Sequence, residues 1–178
     1  MKKILAFAGS TSSTSINKQL VTFTAKSLTK TNFDIIDFRD FTVPMYSEDE
    51  QKENGIPEDI VNFSKSLDTY DGFMVSLAEH NGSYAAAFKN IFDWCSVVNG
   101  KIFREKPVLL MATSPGAMGG RFVLAAAEQR FPRHAAKPIF TFSLPTFSEN
   151  FKEDKITNTE LLASLQEQLA QFENAVNQ

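Results

Sequence analysis

Cysteine and histidine are scarce in this sequence, and their scarcity excludes several kinds of chemistry. Cys95 is the single cysteine, and His80 and His134 are the only histidines among 178 residues. One cysteine excludes an internal disulfide and a CxxC redox pair within the chain. Two histidines without a companion cluster at metal-ligand spacing do not indicate a zinc site, and we expect no bound metal.

An excess of positive charge and long apolar runs are also missing. The formal net charge is -3 and the pI is near 5.4, so the chain lacks the basic surface of a general nucleic-acid or anionic-membrane binder. The first apolar run, Ile4–Ala8, is too short for the core of a signal peptide. No segment approaches the roughly 18 apolar residues of a membrane span. We therefore expect a soluble cytoplasmic protein with no nucleic-acid or membrane partner.

The length and composition of the chain are those of one globular unit. Its 178 residues, 43% hydrophobic and 22% charged, predict a single domain over residues 1–178 that buries a full core. The 17 phenylalanines indicate that this core, or an interface, is rich in aromatic side chains.

Short apolar runs alternate along the chain with helical patterns. The five runs that we interpret as strands are Ile4–Ala8, Asp34–Phe38, Gly72–Leu77, Val108–Thr113 and Ile139–Ser143. Amphipathic stripes between and after them begin at Ile16, Ile60, Phe88, Phe122 and Leu162, the last behind a capping box of Thr157 and Glu160. Continuous apolar runs are typical of strands that are covered on both faces. The pattern predicts a doubly wound α/β fold with a five-stranded parallel sheet in the order 2-1-3-4-5 and helices on both faces.

In that strand order, successive strands are added in opposite directions from a point between strands one and three. Ligands bind at this switch point, outside the carboxyl ends of the strands. The loop after strand one, residues 9–17, has six hydroxyl side chains and leads directly into a helix. Unpaired backbone N–H groups and the helix dipole at such a position favour a phosphate group. The loop matches neither the Walker motif, which requires Gly-Lys-Ser/Thr, nor the GxGxxG motif of dinucleotide-binding proteins. The alternative is a flexible Ser/Thr loop with one helix cap.

Two further loops reach the same edge of the predicted sheet. Residues 78–84 hold hydrogen-bonding side chains beside small residues, which suits the edge of a flat heterocycle; the alternative is a polar surface turn at Asn81 and Gly82. Residues 114–121 contain three glycines that allow a close approach of the backbone; the alternative is a mobile turn before the fourth helix.

Together these loops carry a resemblance to a known family. Residues 9–17, GSTSSTSIN, are similar to the pattern GSxRxxSxN of the NADPH-dependent FMN reductase family, which includes quinone, azo and chromate reductases. Residues 79–94, EHNGSYAAAFKNIFDW, resemble its PEYNGSxPGxLKNxxDW segment, and residues 114–120, SPGAMGG, resemble its SxGxxGG loop. Residues 44–46 are similar to its PxY. These matches run in order through about residues 1–131.

The resemblance implies a flavodoxin-like fold, FMN as cofactor and NAD(P)H as hydride donor, with a quinone, an azo compound, free flavin or a similar small molecule as acceptor. It implies a homodimer or homotetramer. It places around the FMN phosphate Ser10, Ser12, Ser15, Ile16 and Asn17. It places beside the isoalloxazine ring Glu79, His80, Asn81, Ser114, Pro115 and Gly116. Because the flavin itself carries the redox chemistry, we assign no catalytic residue.

Three residues depart from the family pattern: Ser12 stands in place of arginine, Ala78 in place of proline and His80 in place of tyrosine. Loss of a charge-assisted phosphate contact at Ser12 weakens binding by about 1.5–3 kcal/mol. These departures leave open the alternative of a non-enzymatic FMN-binding electron carrier or sensor. The choice between NADPH and NADH also stays open, because no basic pocket for a 2′-phosphate can be assigned.

The segment of residues 79–94, together with Cys95 that follows it, also contains residues for which we predict structural roles. Lys89 and Asp93, one turn apart, are expected to pair on a helix surface. Trp94 is interpreted as a packing or interface residue, and Cys95 as a buried, inert thiol.

Overall fold

The computed structural model describes residues 1–178. Its strands are β1 (Lys3–Gly9), β2 (Asn32–Ile36), β3 (Gly72–Leu77), β4 (Glu79–His80), β5 (Ser83–Tyr84), β6 (Lys106–Thr113), β7 (Ala136–Leu144), β8 (Phe151–Lys152) and β9 (Lys155–Ile156). Its α-helices are α1 (Ile16–Lys26), α2 (Glu48–Asn54), α3 (Glu58–Ser66), α4 (Ala86–Val98), α5 (Arg121–Arg130), α6 (Phe147–Asn150) and α7 (Thr159–Val176). No helix combines the length and the apolar character needed to cross a bilayer.

Five parallel strands form the central sheet in the order β2-β1-β3-β6-β7. This order is the predicted 2-1-3-4-5, so the predicted architecture is confirmed. β3 has the predicted bounds, whereas β2 begins and ends two residues earlier than predicted. The reason lies at Asp37, whose side chain accepts a hydrogen bond from the backbone N–H of Arg39 and starts a one-turn 3-10 helix where the prediction continued the strand.

Alternate residues of the sheet enter two separate cores, one on each face. In β1, for example, Leu5 and Phe7 pack into one core, and Ile4, Ala6 and Ala8 into the other. The first core is covered by α3, α4 and α5, and the second by α1 and α7. The prediction of helices on both faces is therefore confirmed, and every central strand is buried on two sides.

Aromatic side chains fill the first core, as the phenylalanine content predicted. Phe92 stacks on Phe131 with ring centroids 5.5 Å apart, and Phe103 packs on Phe131 at 4.6 Å. Trp94 is fully buried, and its indole N–H donates to the carbonyl of Pro44 at 2.9 Å. Its predicted packing role is confirmed. This contact fixes the segment after β2 against α4.

The remaining α4 predictions are also confirmed. Lys89 Nζ lies 2.7 Å from Asp93 Oδ2 in a partly exposed i,i+4 pair. Cys95 is 2% exposed, and burial raises the pKa of its thiol to about 12, so the thiol stays protonated and unreactive at neutral pH.

The start of the last helix differs from the prediction. Asn158, not Thr157, caps α7: its side chain accepts from the backbone N–H groups of Glu160 and Leu161, each at 3.1 Å. Thr157 instead belongs to the end of the β8–β9 hairpin, where its N–H donates to the carbonyl of Asn150 at 2.8 Å. The apolar stripe of α7 is confirmed, since its buried members are Leu165, Leu169, Phe172 and Val176.

Candidate functional site

A cleft of about 330 Å³ opens at the carboxyl ends of β1, β3 and β6, where the strand order reverses. Its lining residues come from the three predicted loops: Ser10, Ser12, Thr14, Ser15, Ile16, Asn17, Ala78, Glu79, His80, Thr113, Ser114 and Pro115. Nine of the eleven predicted site residues are among them. Asn81 and Gly116 belong to the same loops but lie outside this lining.

The loop after β1 offers unpaired backbone donors to the cleft. Ser15 caps α1, because its Oγ accepts from the backbone N–H of Lys18 at 3.1 Å. The N–H groups of Ser13, Thr14, Ile16 and Asn17 donate to no acceptor within the chain. Together with the positive end of the helix dipole, these groups form a site that favours a phosphate group.

Asn17 has a role that the sequence did not reveal. Asn17 is 3% exposed, and its side-chain atoms bond to the sheet. The Oδ1 atom accepts from Thr113 N at 3.1 Å and from Ser76 Oγ at 2.8 Å, and Nδ2 donates to Thr113 O at 3.2 Å. Asn17 therefore ties the start of α1 to β3 and β6. What remains free for a ligand is its backbone N–H.

The loop after β3 is a β-hairpin. β4 and β5 pair antiparallel, and Asn81 and Gly82 between them have φ of 52° and 72°. Positive φ at both positions is typical of a two-residue type I′ turn, for which Asn-Gly is the favoured sequence. The surface-turn interpretation of Asn81 is thus confirmed for its local structure, and its contact with a flavin stays a prediction.

Glu79 links this hairpin to the next loop. Its Oε2 accepts from the backbone N–H groups of Phe122 and Val123, both at 2.9 Å. These are two of the unpaired donors at the start of α5, which Gly120 precedes without a side chain to cap them. A carboxylate at this position also interacts favourably with the helix dipole. Glu79 is therefore a long-range cap that holds the second and third loops together.

Replacing Glu79 with alanine is expected to lower the free energy of unfolding by about 1 kcal/mol, the usual loss of a helix cap. For a chain of this size, that loss lowers Tm by roughly 2–4 °C. Glu79→Gln keeps an acceptor oxygen and should lose less. Thermal melts of the flavin-free protein measure this change in Tm. Glu128→Ala is the control, because Glu128 is an exposed glutamate of α5, the helix that Glu79 caps. Equal melting of the two alanine variants would contradict the capping role.

The loop after β6 is fastened to the loop after β7. The carbonyl of Gly116 accepts from Gly119 N at 3.3 Å and from Thr146 N at 3.0 Å. The carbonyl of Ser114 accepts from Phe147 N at 3.1 Å. Gly119 and Gly120 have φ of 58° and 77°, so the loop uses the left-handed region that its glycines allow. These bonds present Ser114 and Pro115 at the cleft as part of a defined turn.

Comparisons with known proteins agree with this geometry. Quinone reductase from Escherichia coli strain K12 is 32% identical over 78 residues, which are 44% of this chain and 42% of that protein. An NAD(P)H-dependent FMN reductase from Pseudomonas aeruginosa is 31% identical over 86 residues, 48% of this chain and 44% of that protein. The aligned part spans less than half the length of either relative.

Solved structures share the fold over the whole chain. FerB, a flavoenzyme NAD(P)H:(acceptor) oxidoreductase from Paracoccus denitrificans, has a TM-score of 0.77 at 22% identity and covers 99% of this chain and 98% of its own. The NAD(P)H:quinone oxidoreductase from Methanothermobacter marburgensis has a TM-score of 0.62 at 11% identity, with 98% and 97% covered. The model of a family described as "NADPH-dependent FMN reductase" matches residues 2–150, which include all three loops of the cleft. On this match, the chain belongs to the NADPH-dependent FMN reductase family.

Proposed function

We propose that this protein is an FMN-dependent NAD(P)H oxidoreductase that reduces a small-molecule acceptor such as a quinone, an azo compound or free flavin. The observation that carries the proposal is the capped start of α1, where the unpaired backbone N–H groups of Thr14, Ile16 and Asn17 and several hydroxyls meet a cleft at the switch point of the sheet. Family membership and the names of the quinone-reductase and FMN-reductase relatives support the same conclusion.

The residues present fit FMN in two respects. The loop of residues 9–17 has the donors that a terminal phosphate needs, from the amides of Ser13, Thr14, Ile16 and Asn17 and from hydroxyls such as Ser10. Beside the ring position, a Cβ placed on Gly116 would have no atom within 4 Å, so open space adjoins the backbone of the third loop. A flat ring requires such space next to a backbone wall.

In this proposal the protein binds and orients its cofactor and supplies no acid or base. When bound, FMN supplies the redox chemistry, because its ring takes up a hydride from NAD(P)H and passes the electrons to the acceptor. Asn17 and Glu79 hold the three loops at fixed distances from one another. His80, Ser114 and Pro115 line the cleft where the ring would lie.

Exposed apolar side chains lie within and next to the loop of residues 114–121. Met118 is 47% exposed and Phe122 48% exposed, and both lie at the carboxyl edge of the sheet. They are suited to contact an apolar acceptor or a second subunit, and we propose a homodimer or homotetramer. Size-exclusion chromatography with light scattering measures the molar mass of the assembly. A monomer at micromolar concentration would contradict this part of the proposal.

A spectroscopic experiment tests the main proposal. The purified protein is titrated with FMN, and then NADPH or NADH is added without oxygen. We expect stoichiometric flavin binding and bleaching of the flavin bands by at least one of the two nucleotides, followed by recovery when a quinone is added. Absence of flavin binding would overturn the proposal. Binding without bleaching by either nucleotide would instead favour the electron carrier that the departures at Ser12 and His80 leave open.

Restoring the arginine of the family pattern should tighten FMN binding. Ser12 lines the cleft, and a guanidinium there can form charge-assisted hydrogen bonds with a phosphate. We expect Ser12→Arg to lower the Kd of FMN about tenfold, measured by quenching of flavin fluorescence. Gln19→Arg is the control, because Gln19 is an exposed residue of α1 that does not line this cleft. An equal gain in both variants would show a general charge effect rather than a contact at position 12.

A further inference from the structure

Lys18 occupies a position in α1 that is unfavourable for a cation. It lies in the first turn of the helix, three residues after the cap Ser15, and that turn contains no acidic residue. The positive end of the helix dipole repels a cation there, whereas Lys26 in the last turn is placed favourably. Residues 9–17 contain no lysine or arginine, so Lys18 is the first cation after the hydroxyl-rich loop.

The present partner of Lys18 does not depend on it. Lys18 Nζ contacts Asp37 Oδ2, but Arg39 also binds that oxygen, with Nη2 at 2.7 Å and Nε at 3.0 Å. The backbone N–H of Arg39 donates to Oδ1 at 2.9 Å. Arg39, followed by Lys18, holds the pKa of the Asp37 carboxyl well below its usual range. Since two cations share one carboxylate, Lys18 can leave without exposing an unpaired buried charge.

Lys18 also lies beside the proposed phosphate position. It lines a second polar cleft of about 300 Å³ together with Ser13, Thr14 and Ser15. Thr14 and Ser15 line the candidate site as well, so the two clefts adjoin at these residues. Lys18 Nζ contacts Asp37 in this structure, but a long side chain on a helix tends to extend toward the N-terminus of that helix, so the capping loop lies in the direction that Lys18 favours once it leaves Asp37. Its side chain is 34% exposed, so the ammonium group can change partner without disturbing the core.

We propose that Lys18 provides the positive charge for the terminal phosphate of FMN, a role that the loop itself cannot fill because it carries only neutral donors. This inference rests on the proposed function of the cleft. An ammonium group is a compact point charge that suits a phosphate dianion, and the unfavourable position in the helix is then balanced by the ligand.

Comparing FMN with riboflavin tests the assignment, because riboflavin has the same ring but lacks the phosphate. The flavin-free protein is titrated with each, and flavin fluorescence is followed. We expect Lys18→Gln to raise the Kd of FMN about tenfold and to leave the Kd of riboflavin unchanged. The difference between wild type and variant should shrink in 0.5 M salt, where screening weakens a partly exposed ion pair.

Three further variants separate a phosphate contact from a structural role. Lys26→Gln removes a lysine that lines the second cleft from the other end of α1, and it should leave the FMN affinity unchanged. Lys18→Arg keeps the charge and should retain most of the affinity. Adding Ser12→Arg to Lys18→Gln should restore FMN binding, because the charge returns to the site from the neighbouring loop.

The outcomes distinguish failure of this inference from failure of the proposed function. If wild-type protein binds neither flavin, the proposed function fails and the inference fails with it. If wild type binds FMN and Lys18→Gln binds it equally well, the assignment of Lys18 alone is wrong. The assignment is also wrong if the variant loses FMN and riboflavin affinity in equal proportion, because the lysine then supports the fold of the loop and not the phosphate.

Discussion

Replacing Asn17 with alanine should lower the free energy of unfolding of the flavin-free protein by about 3–4 kcal/mol. The substitution removes three buried hydrogen bonds at once and leaves the N–H and carbonyl of Thr113 and the hydroxyl of Ser76 without their partner. Each buried polar group left unsatisfied costs roughly 1–3 kcal/mol, and partial relaxation keeps the total near the lower end of the range for three groups. Tm should fall by about 6–16 °C for a chain of this size.

Thermal and urea unfolding of the flavin-free protein measure this effect without any contribution from a ligand. Gln19→Ala is the matched control, since Gln19 is an exposed amide of the same helix, two residues away. Asn17→Asp is the second variant: it keeps the acceptor for Ser76 and for Thr113 N but loses the donor to Thr113 O. It should therefore also be destabilised. If Asn17→Ala and Gln19→Ala have the same Tm and the same urea midpoint, the polar link between α1 and the sheet contributes nothing to stability.

The case of Asn17 shows how far the sequence leads. The pattern of residues 9–17 located the residue correctly at the cleft. It could not show which way the side chain turns, because the partners Ser76 and Thr113 lie 59 and 96 positions further along the chain. An amide side chain can serve either a phosphate contact or a link to the sheet, so the residue type alone does not separate them.

The prediction for Glu79 was limited in the same way. The sequence placed it in the loop after the third strand, but its partners are backbone N–H groups at the start of α5, and any residues present the same backbone donors. The one local signal is the glycine before α5, since Gly120 has no side chain to cap the helix. A helix that lacks its own cap requires a hydrogen-bond acceptor from another part of the chain for its first N–H groups.

The central strands were predictable because each is buried on both faces, which produces a continuous apolar run. β3 and β6 are examples, and both reach their predicted carboxyl ends at Leu77 and Thr113. The hairpin of β8 and β9 was missed, because strands of two residues are too short to show a period. That omission also moved the predicted cap of α7 to Thr157, whose backbone closes the hairpin.

Gly120→Ala should lower the free energy of unfolding by about 2–4 kcal/mol, through two independent effects at one position. Gly120 has a φ of 77°, in the left-handed region, where an L-residue other than glycine is disfavoured by roughly 1–2 kcal/mol. A Cβ there would also lie 2.7 Å from the Cβ of Ala112 in β6. Because Ala112 belongs to a central strand, it cannot move aside as a flexible side chain would. The strain would also displace the start of α5 from Glu79.

Gly116→Ala is the control from the same loop, and it should show the opposite behaviour. Gly116 has no left-handed φ, and a Cβ there would meet nothing within 4 Å. The flavin-free variant should therefore melt within about 2 °C of wild type, since a surface change without strain has a small effect. If the flavin ring occupies the open space beside Gly116, the same methyl group should raise the Kd of FMN severalfold. We thus expect Gly120→Ala to lose stability and Gly116→Ala to lose FMN affinity alone. That pair of results would separate the residues that support the third loop from those that contact the ring. A Gly116→Ala variant with wild-type affinity would place the ring elsewhere in the cleft.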